Sequence, residues 1–179
     1  MSVKYNAGGW RVAIFAGKII MKTIILFASV AVASGLLFTN MYTSLVDATS
    51  WGSNIPDSIA TARDYYKAAN PGNFFRLFSP LNQVLGLLAL VLFWKSSPTI
   101  RLYVGIAFVL YITAEGLTFG YFYPRNAIMF SSAQLSDIAL LRKTWSEWNS
   151  MNWVRSAMLL VGIFFSFLAL HTFYTHRSK

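Results

Sequence analysis

Four long apolar segments constrain this chain more than any other feature of its sequence. A helix needs about 20 apolar residues to cross a hydrocarbon core about 30 Å thick, and the first, third and fourth segments reach that length. The second is shorter, and we expect Ser79-Pro80 to open its helix because proline is tolerated in a first turn. The predicted fold is all-α, an antiparallel four-helix membrane bundle in one domain, with spans at about residues 23–45, 79–95, 101–123 and 152–173.

The composition supports a membrane protein and excludes several kinds of site. Apolar residues make up 56% of the chain and charged residues 12%, whereas soluble chains average roughly 45–50% and about 25%. The chain has no cysteine, which excludes disulfides, thiolate catalysis and cysteine-bound metals. Its two histidines, His171 and His176, lie at or beyond the end of the last apolar segment. We therefore predict neither a metal site nor a cofactor.

The net charge of +9 raises the question of a nucleic-acid partner. Nucleic-acid-binding proteins cluster lysine and arginine on one soluble face. Here the basic residues stand at the ends of the apolar segments, where membrane topology favours them. We expect no nucleic acid among the partners.

The first apolar segment also has features of a secretory signal peptide. Lys18 and Lys22 precede it, and Ala31-Val32-Ala33 resembles a small-residue cleavage site. Because the sequence runs from Met1 through this segment, we expect it to be retained as a membrane span.

The distribution of charge predicts that both termini are cytoplasmic, and we expect the membrane to be a bacterial inner membrane. In that orientation the cytoplasmic side has eight basic residues and no acidic one, as the positive-inside rule requires; they are Lys4, Arg11, Lys18, Lys22, Lys95, Arg101, Arg177 and Lys179. The external connections, at about 46–78 and 124–151, mix both signs of charge. A short helix over 58–69 is expected in the first, and Ser136-Asp137 is expected to open a helix that continues into the fourth span.

Polar residues within the spans gather in the external half of the predicted bundle. Glu115 is the only acid within a span, and intramembrane ionisable groups are costly enough to suggest a function. Arg155, one turn inside the fourth helix, is its predicted partner. The pair either ties two helices together as a structural ion pair or lines a cavity that is accessible from outside.

A second pattern places Trp145, Trp148, Asn152 and Arg155 on one stripe of a helix, because their spacings are 3, 4 and 3. This stripe is either an interfacial aromatic anchor above a buried polar pair or the roof of a pocket for a planar ligand. The external loops add aromatic side chains. No catalytic residue is assigned, and the candidate ligand-binding residues are Trp51, Tyr66, Asn82, Glu115, Trp148, Asn152 and Arg155.

Three short motifs resemble the anthrone-oxygenase-like family of small four-helix membrane proteins. They are Trp148-Asn-Ser-Met-Asn152-Trp-Val-Arg155, Tyr123-Pro124-Arg125-Asn126, and Asn70-Pro-Gly-Asn-Phe-Phe-Arg76 with Ser79-Pro80-Leu-Asn82. The resemblance covers about residues 25–172 and implies, for some members, cofactor-independent oxygenation of polyketide anthrones. Many members carry histidine where this chain has Asn152, and an amide cannot serve as a general base at neutral pH.

Two functions follow as hypotheses. In the first, the external half of the bundle holds a pocket for a small apolar or lipid-like molecule, with oxygenase-like chemistry as an extension. In the second, the chain is a non-catalytic accessory subunit of a larger membrane complex. The expected partners are accordingly membrane lipids together with either an apolar small molecule or partner subunits. Six glycines were expected to allow close helix packing: Gly35, Gly86, Gly105, Gly116, Gly120 and Gly162.

Overall fold

The computed structural model describes residues 7–131 and 137–176, and this part of the chain is helical almost throughout. Predicted features at Lys4, Ser136, Arg177 and Lys179 lie outside the described residues. The α-helices are α1 (Ala7–Tyr42), α2 (Ala48–Gly52), α3 (Asp57–Tyr65), α4 (Pro71–Phe93), α5 (Pro98–Leu117), α6 (Tyr123–Asn126) and α7 (Ile138–Thr175). Single π-helical turns at Thr43–Asp47, Thr118–Phe122 and Ala127–Ser131 join or extend them.

Four continuous helical segments are long and apolar enough to cross a membrane, namely Gly17–Gly52, Pro71–Phe93, Pro98–Phe130 and Ile138–Thr175. They pack in a ring, α1 against α4, α4 against α5, α5 against α7 and α7 against α1. Their outer faces carry large apolar side chains that are half or more exposed, such as Phe38, Leu87, Val109 and Leu160. Such a surface is suited to lipid, so the chain is a multi-pass membrane protein built as an all-α bundle.

The second long helix begins at Pro71, not at Ser79 as the sequence predicted. Asn70 caps it, since its Oδ1 accepts a hydrogen bond of 2.9 Å from the Gly72 amide, and Pro71 stands in the first turn. These are the strongest start signals in the segment. Pro80 lies inside the helix, which membrane helices tolerate when neighbouring groups satisfy the freed carbonyl.

The external segments differ in how well their helices were predicted. The Asp137 carboxylate accepts from the Leu140 amide at 2.9 Å, and the helix that it caps continues unbroken into the fourth span, as expected. In contrast, α3 ends at Tyr65, before the predicted end at residue 69. The external end of the bundle therefore consists of the first part of α7 packed against short helices such as α2 and α6.

Close packing occurs at two of the six glycines singled out above. A Cβ atom on Gly162 would lie 2.5 Å from Cε1 of Tyr111, and one on Gly86 would lie 3.0 Å from Cδ2 of Phe108. The other four glycines have no such neighbour within 4 Å. Among these six glycines, close helix contact thus occurs at the α5–α7 and α4–α5 interfaces.

Candidate functional site

A cavity of about 570 Å³ lies at the end of the bundle where α2, α3 and the loop before α4 meet α5 and α7. Among the seven predicted site residues, five line it: Trp51, Tyr66, Glu115, Trp148 and Arg155. Asn82 lies below it, in an adjoining space, and Asn152 lines neither. Ligand pockets commonly measure about 300–1,000 Å³, so this one is large enough for a small molecule.

Two of the π-helical turns shape the cavity wall. The turn at Thr43–Asp47 contributes Thr43, and the turn at Thr118–Phe122 contributes Thr118 and Phe122. A π-helical turn inserts one residue into an α-helix and rotates the following side chains, and such turns are frequent at functional sites. Each of the two turns begins with a threonine that lines the cavity.

Arg155 is the charged centre of the site. It is 6% exposed, and its Nη2 donates 2.6 Å hydrogen bonds to Asn40 Oδ1 and Asn152 Oδ1. Its Nη1 donates to Thr118 Oγ1 at 3.3 Å, and its guanidinium lies 4.1 Å from the ring centroid of Phe122. Its Nε is buried without a partner. The guanidinium is thus held firmly by neutral groups, and its Nε donor is unused.

Asn152 is a support for Arg155 and not a cavity residue. It is fully buried, and its Nδ2 donates to the Asn40 carbonyl at 2.9 Å and to Ser44 Oγ at 2.7 Å. Its Oδ1 then remains to accept from Arg155. An amide suits this place because it donates to α1 and accepts from the arginine at the same time.

A smaller space of about 20 Å³ adjoins the cavity and shares Phe75, Glu115, Thr118 and Arg155 with it. Asn82 reaches this inner chamber fully buried, and neither its Nδ2 nor its Oδ1 has a hydrogen-bond partner. A volume of at least about 10–15 Å³ admits one water-sized group. The chamber therefore has room for one oxygen atom between unused donors and acceptors.

Glu115 lines both spaces but does not form the direct ion pair that was predicted. Among the described residues the ion pairs are Lys67–Asp64 and Arg125–Glu147, and the Glu115 carboxylate makes no hydrogen bond. The Nη2 group of Arg155 donates its hydrogen bonds to the amide oxygens of Asn40 and Asn152 instead of to Glu115. Glu115 acts on Arg155 through space, as an uncommitted carboxylate at the cavity wall.

Aromatic rings form the upper wall. Trp148 contacts Trp51 edge to face at 5.2 Å and Phe122 at 5.4 Å, and its Nε1 donates to Asn126 Oδ1 at 2.8 Å. Burial and the nearby carboxylate of Asp47 raise the pKa of Tyr66 to about 12, so this cavity residue is a neutral phenol at ordinary pH. The wall is therefore apolar, with a few fixed polar groups.

Trp145 shares the predicted stripe but does not line the cavity. Its ring packs on Gly52, and its Nε1 donates to the Ala48 carbonyl at 2.6 Å. It fastens α7 to α2, while the other three members of the stripe are buried at or beside the site. The stripe thus combines an anchor with a pocket wall.

Three further residues belong to the site although they were not among the candidates. Arg63 lines the cavity and donates from Nε to the Met129 carbonyl at 2.7 Å. Asn126 orients Trp148, and Asn40 holds Arg155. Asn126 stands in a motif noted above and Asn40 is a polar residue within the first predicted span, whereas nothing in the sequence distinguishes Arg63 from other loop arginines.

The family model for anthrone oxygenase matches residues 74–165, which is 92 of the 179 residues. The chain belongs to the anthrone oxygenase family. The matched region includes Asn82, Glu115, Trp148, Asn152 and Arg155, whereas Trp51 and Tyr66 precede it. No curated protein and no solved structure matches the chain. The match thus covers the segments that carry these buried polar residues, and it leaves out α2 and α3.

Proposed function

We propose that the chain binds a planar, oxygen-bearing polycyclic aromatic molecule of the anthrone class in this cavity and oxygenates it. The observation that carries the proposal is the uncommitted Glu115 carboxylate beside the fixed Arg155 cation, at the wall of an aromatic cavity. Family membership supports the substrate class.

The walls suit such a ligand. Trp51, Phe122 and Trp148 present ring faces and edges that favour contact with a flat aromatic system. The remaining charge of the lining is basic, since Arg63, Lys67, Arg76 and Arg155 face it with Glu115 as the single acid. A weakly acidic phenol or enol is favoured there over a cation.

The inner chamber provides recognition of one ligand oxygen. Asn82 Nδ2 and Arg155 Nε are buried donors without partners, next to a space that admits one oxygen atom. A ketone oxygen placed there satisfies both donors. Because an unmet buried polar group costs about 1–3 kcal/mol, a ligand that satisfies it gains a comparable preference over one lacking the oxygen.

The proposed chemistry uses Glu115 as the general base and molecular oxygen as the oxidant. Glu115 accepts a proton from the ring methylene opposite the ketone, and the electron pair spreads to the ketone oxygen, where the Arg155 charge stabilises it. Molecular oxygen then adds at that carbon to give a hydroperoxide. Loss of the second methylene proton with cleavage of the O–O bond leaves a carbonyl and releases water, so anthrone and oxygen become anthraquinone and water.

The test is turnover in proteoliposomes supplied with anthrone, followed by quinone absorbance and oxygen uptake, with protein-free vesicles as the background. We expect Glu115→Gln to lower kcat by about 10²-fold or more, as loss of a general base does. Asp57→Asn is the matched control, because Asp57 is exposed and does not line the cavity. Equal rates for the wild type and Glu115→Gln would refute the role of the base.

The competing hypothesis is the accessory subunit, and ligand binding separates the two. Anthrone bound in the cavity should quench tryptophan fluorescence, and the quenching should be reduced in Trp148→Phe but retained in Trp153→Phe, because Trp153 is exposed and does not line the cavity. If the wild type shows no quenching and no turnover, the accessory role is favoured.

We further propose that both termini are cytoplasmic, so that the cavity lies toward the external leaflet. The charge distribution supports this orientation. Because the chain has no native cysteine, single cysteines report topology cleanly. Cysteine at Ser53 or Ser146 should react with an impermeant maleimide on intact cells, and cysteine at Thr99 should react only after lysis. The reverse pattern would overturn the orientation.

A further inference from the structure

A second concave surface lies at the opposite end of the bundle, between α1 and the end of α4. It encloses about 640 Å³. Its apolar wall includes Met21, Val91 and Trp94, which are 47%, 63% and 58% exposed. Neither the cavity described above nor the family match gives this groove a role.

Three lysines line this groove, Lys18 and Lys22 from α1 and Lys95 just after α4. All six acidic residues of the chain lie between positions 47 and 147, and none lines the groove. Within residues 7–131 and 137–176, no side-chain carboxylate borders the three ammonium groups. Their charge is complementary to an anion.

One lysine is fixed in place. Lys22 Nζ donates to Ser96 Oγ at 3.1 Å and lies 5.2 Å from the ring centroid of Phe93. Lys18 and Lys95 are exposed on either side of it. A hydrogen-bonded cation and two exposed ones, beside an exposed apolar wall, fit a ligand with an anionic head and a hydrocarbon tail.

We propose that this groove is a binding site for an anionic phospholipid, with the phosphate at the three lysines and an acyl chain along Val91 and Trp94. The occupant is a lipid and not free phosphate, because the apolar wall is continuous with the lipid-facing surface and is exposed in the part of the chain that the structure describes. The site is independent of the ligand and of the reaction proposed for the other end of the bundle.

The test uses the absence of native cysteine. A fluorophore on Val91→Cys, in nanodiscs of phosphatidylcholine with a minor fraction of brominated phosphatidylglycerol, should be quenched more than the bulk lipid ratio predicts. The reference is Leu102→Cys, which is exposed at the same end of the bundle but outside the groove. Adding free inorganic phosphate should leave the quenching unchanged apart from ionic screening.

The lysine contribution is read from Lys18→Gln/Lys95→Gln in the Val91→Cys background. Because each lysine near an anionic surface contributes about a five-fold preference, the double change should lower the lipid preference by about 25-fold. Arg142→Gln/Lys143→Gln, equal in charge and exposed at the other end, should leave it unchanged. Equal enrichment at Val91 and Leu102, or enrichment that survives loss of both lysines, would overturn the proposal.

Discussion

Around Phe93 and Phe173 the buried side chains are apolar and fill the space between the helices, whereas around Arg155 they are polar and border a cavity. The first region contains contacts such as Phe93 against Phe173 at 5.2 Å. The second contains amides and a guanidinium, with several donors and acceptors left over. Since unmet polar groups destabilise a fold, they are retained where something outside the fold can satisfy them.

The two ends of the bundle therefore differ in function, since one is closely packed and the other borders a cavity. The lower half supplies stability through close packing, including the approach of Gly162 to Tyr111. The half that contains the cavity is stabilised by the Arg125–Glu147 ion pair of 2.7 Å and by the hydrogen bond from Trp145 to the Ala48 carbonyl, and its helices contain π-helical turns. Each task makes a prediction that single substitutions can check.

The largest expected effect is at the centre of the open half. Arg155→Met should lower the free energy of unfolding by about 3 kcal/mol, because Asn40 Oδ1 and Asn152 Oδ1 lose their donor in a buried place. Unfolding by SDS titration in mixed micelles measures it. Glu115→Gln should change stability much less, because the Glu115 carboxylate makes no hydrogen bond. If Glu115→Gln were as costly as Arg155→Met, the two groups would be a structural pair after all.

A smaller effect is expected in the packed region. Gly162→Ala should cost about 1–3 kcal/mol, because the new methyl group would overlap the Tyr111 ring. Gly105→Ala is the control, since a Cβ there meets nothing within 4 Å, and it should gain up to about 1 kcal/mol from the helix preference for alanine. Thermal unfolding of both variants in the same detergent separates them. Equal stabilities would show that the α5–α7 contact relaxes easily.

The helices and the bundle could be predicted from the sequence because apolar length is a direct requirement of the bilayer. The start of α4 was misplaced because two proline signals compete, and Pro71 with its Asn70 cap is the stronger. The π-helical turns could not be predicted, since a one-residue shift in hydrogen bonding leaves no mark in composition. Which glycines touch a neighbour depends on how each helix is rotated, and the residue type does not encode rotation.

The candidate site was predicted in its depth and its residue types but not in its pairing. Glu115 and Arg155 border the same cavity, as their positions in the spans suggested. Residue spacing could not reveal that Asn40 and Asn152 would accept the hydrogen bonds of the guanidinium, because that depends on which faces of α1 and α7 contact each other. Asn152 was taken as a ligand contact, yet its amide groups are used within the protein.

The smallest expected effect on stability is at Asn82, one of the fully buried asparagines in the open half of the bundle. Asn82→Leu should leave the free energy of unfolding unchanged or raise it by up to about 1 kcal/mol, because both atoms of its amide are buried without partners. The same variant should weaken anthrone binding, measured by tryptophan quenching. Stability and binding thus move independently at this position.

Asn152→Leu is the matched control, since it is the same change at another fully buried asparagine whose amide is hydrogen-bonded on both sides. It should lose about 1–3 kcal/mol in total, because buried groups are left without their partner. The free energy of unfolding of both variants is measured in the same detergent and without ligand. If Asn82→Leu proved as destabilising as Asn152→Leu, Asn82 would be satisfied in the ligand-free protein by an ordered water, and the inner chamber would be part of the fold instead of an open place for the ligand oxygen.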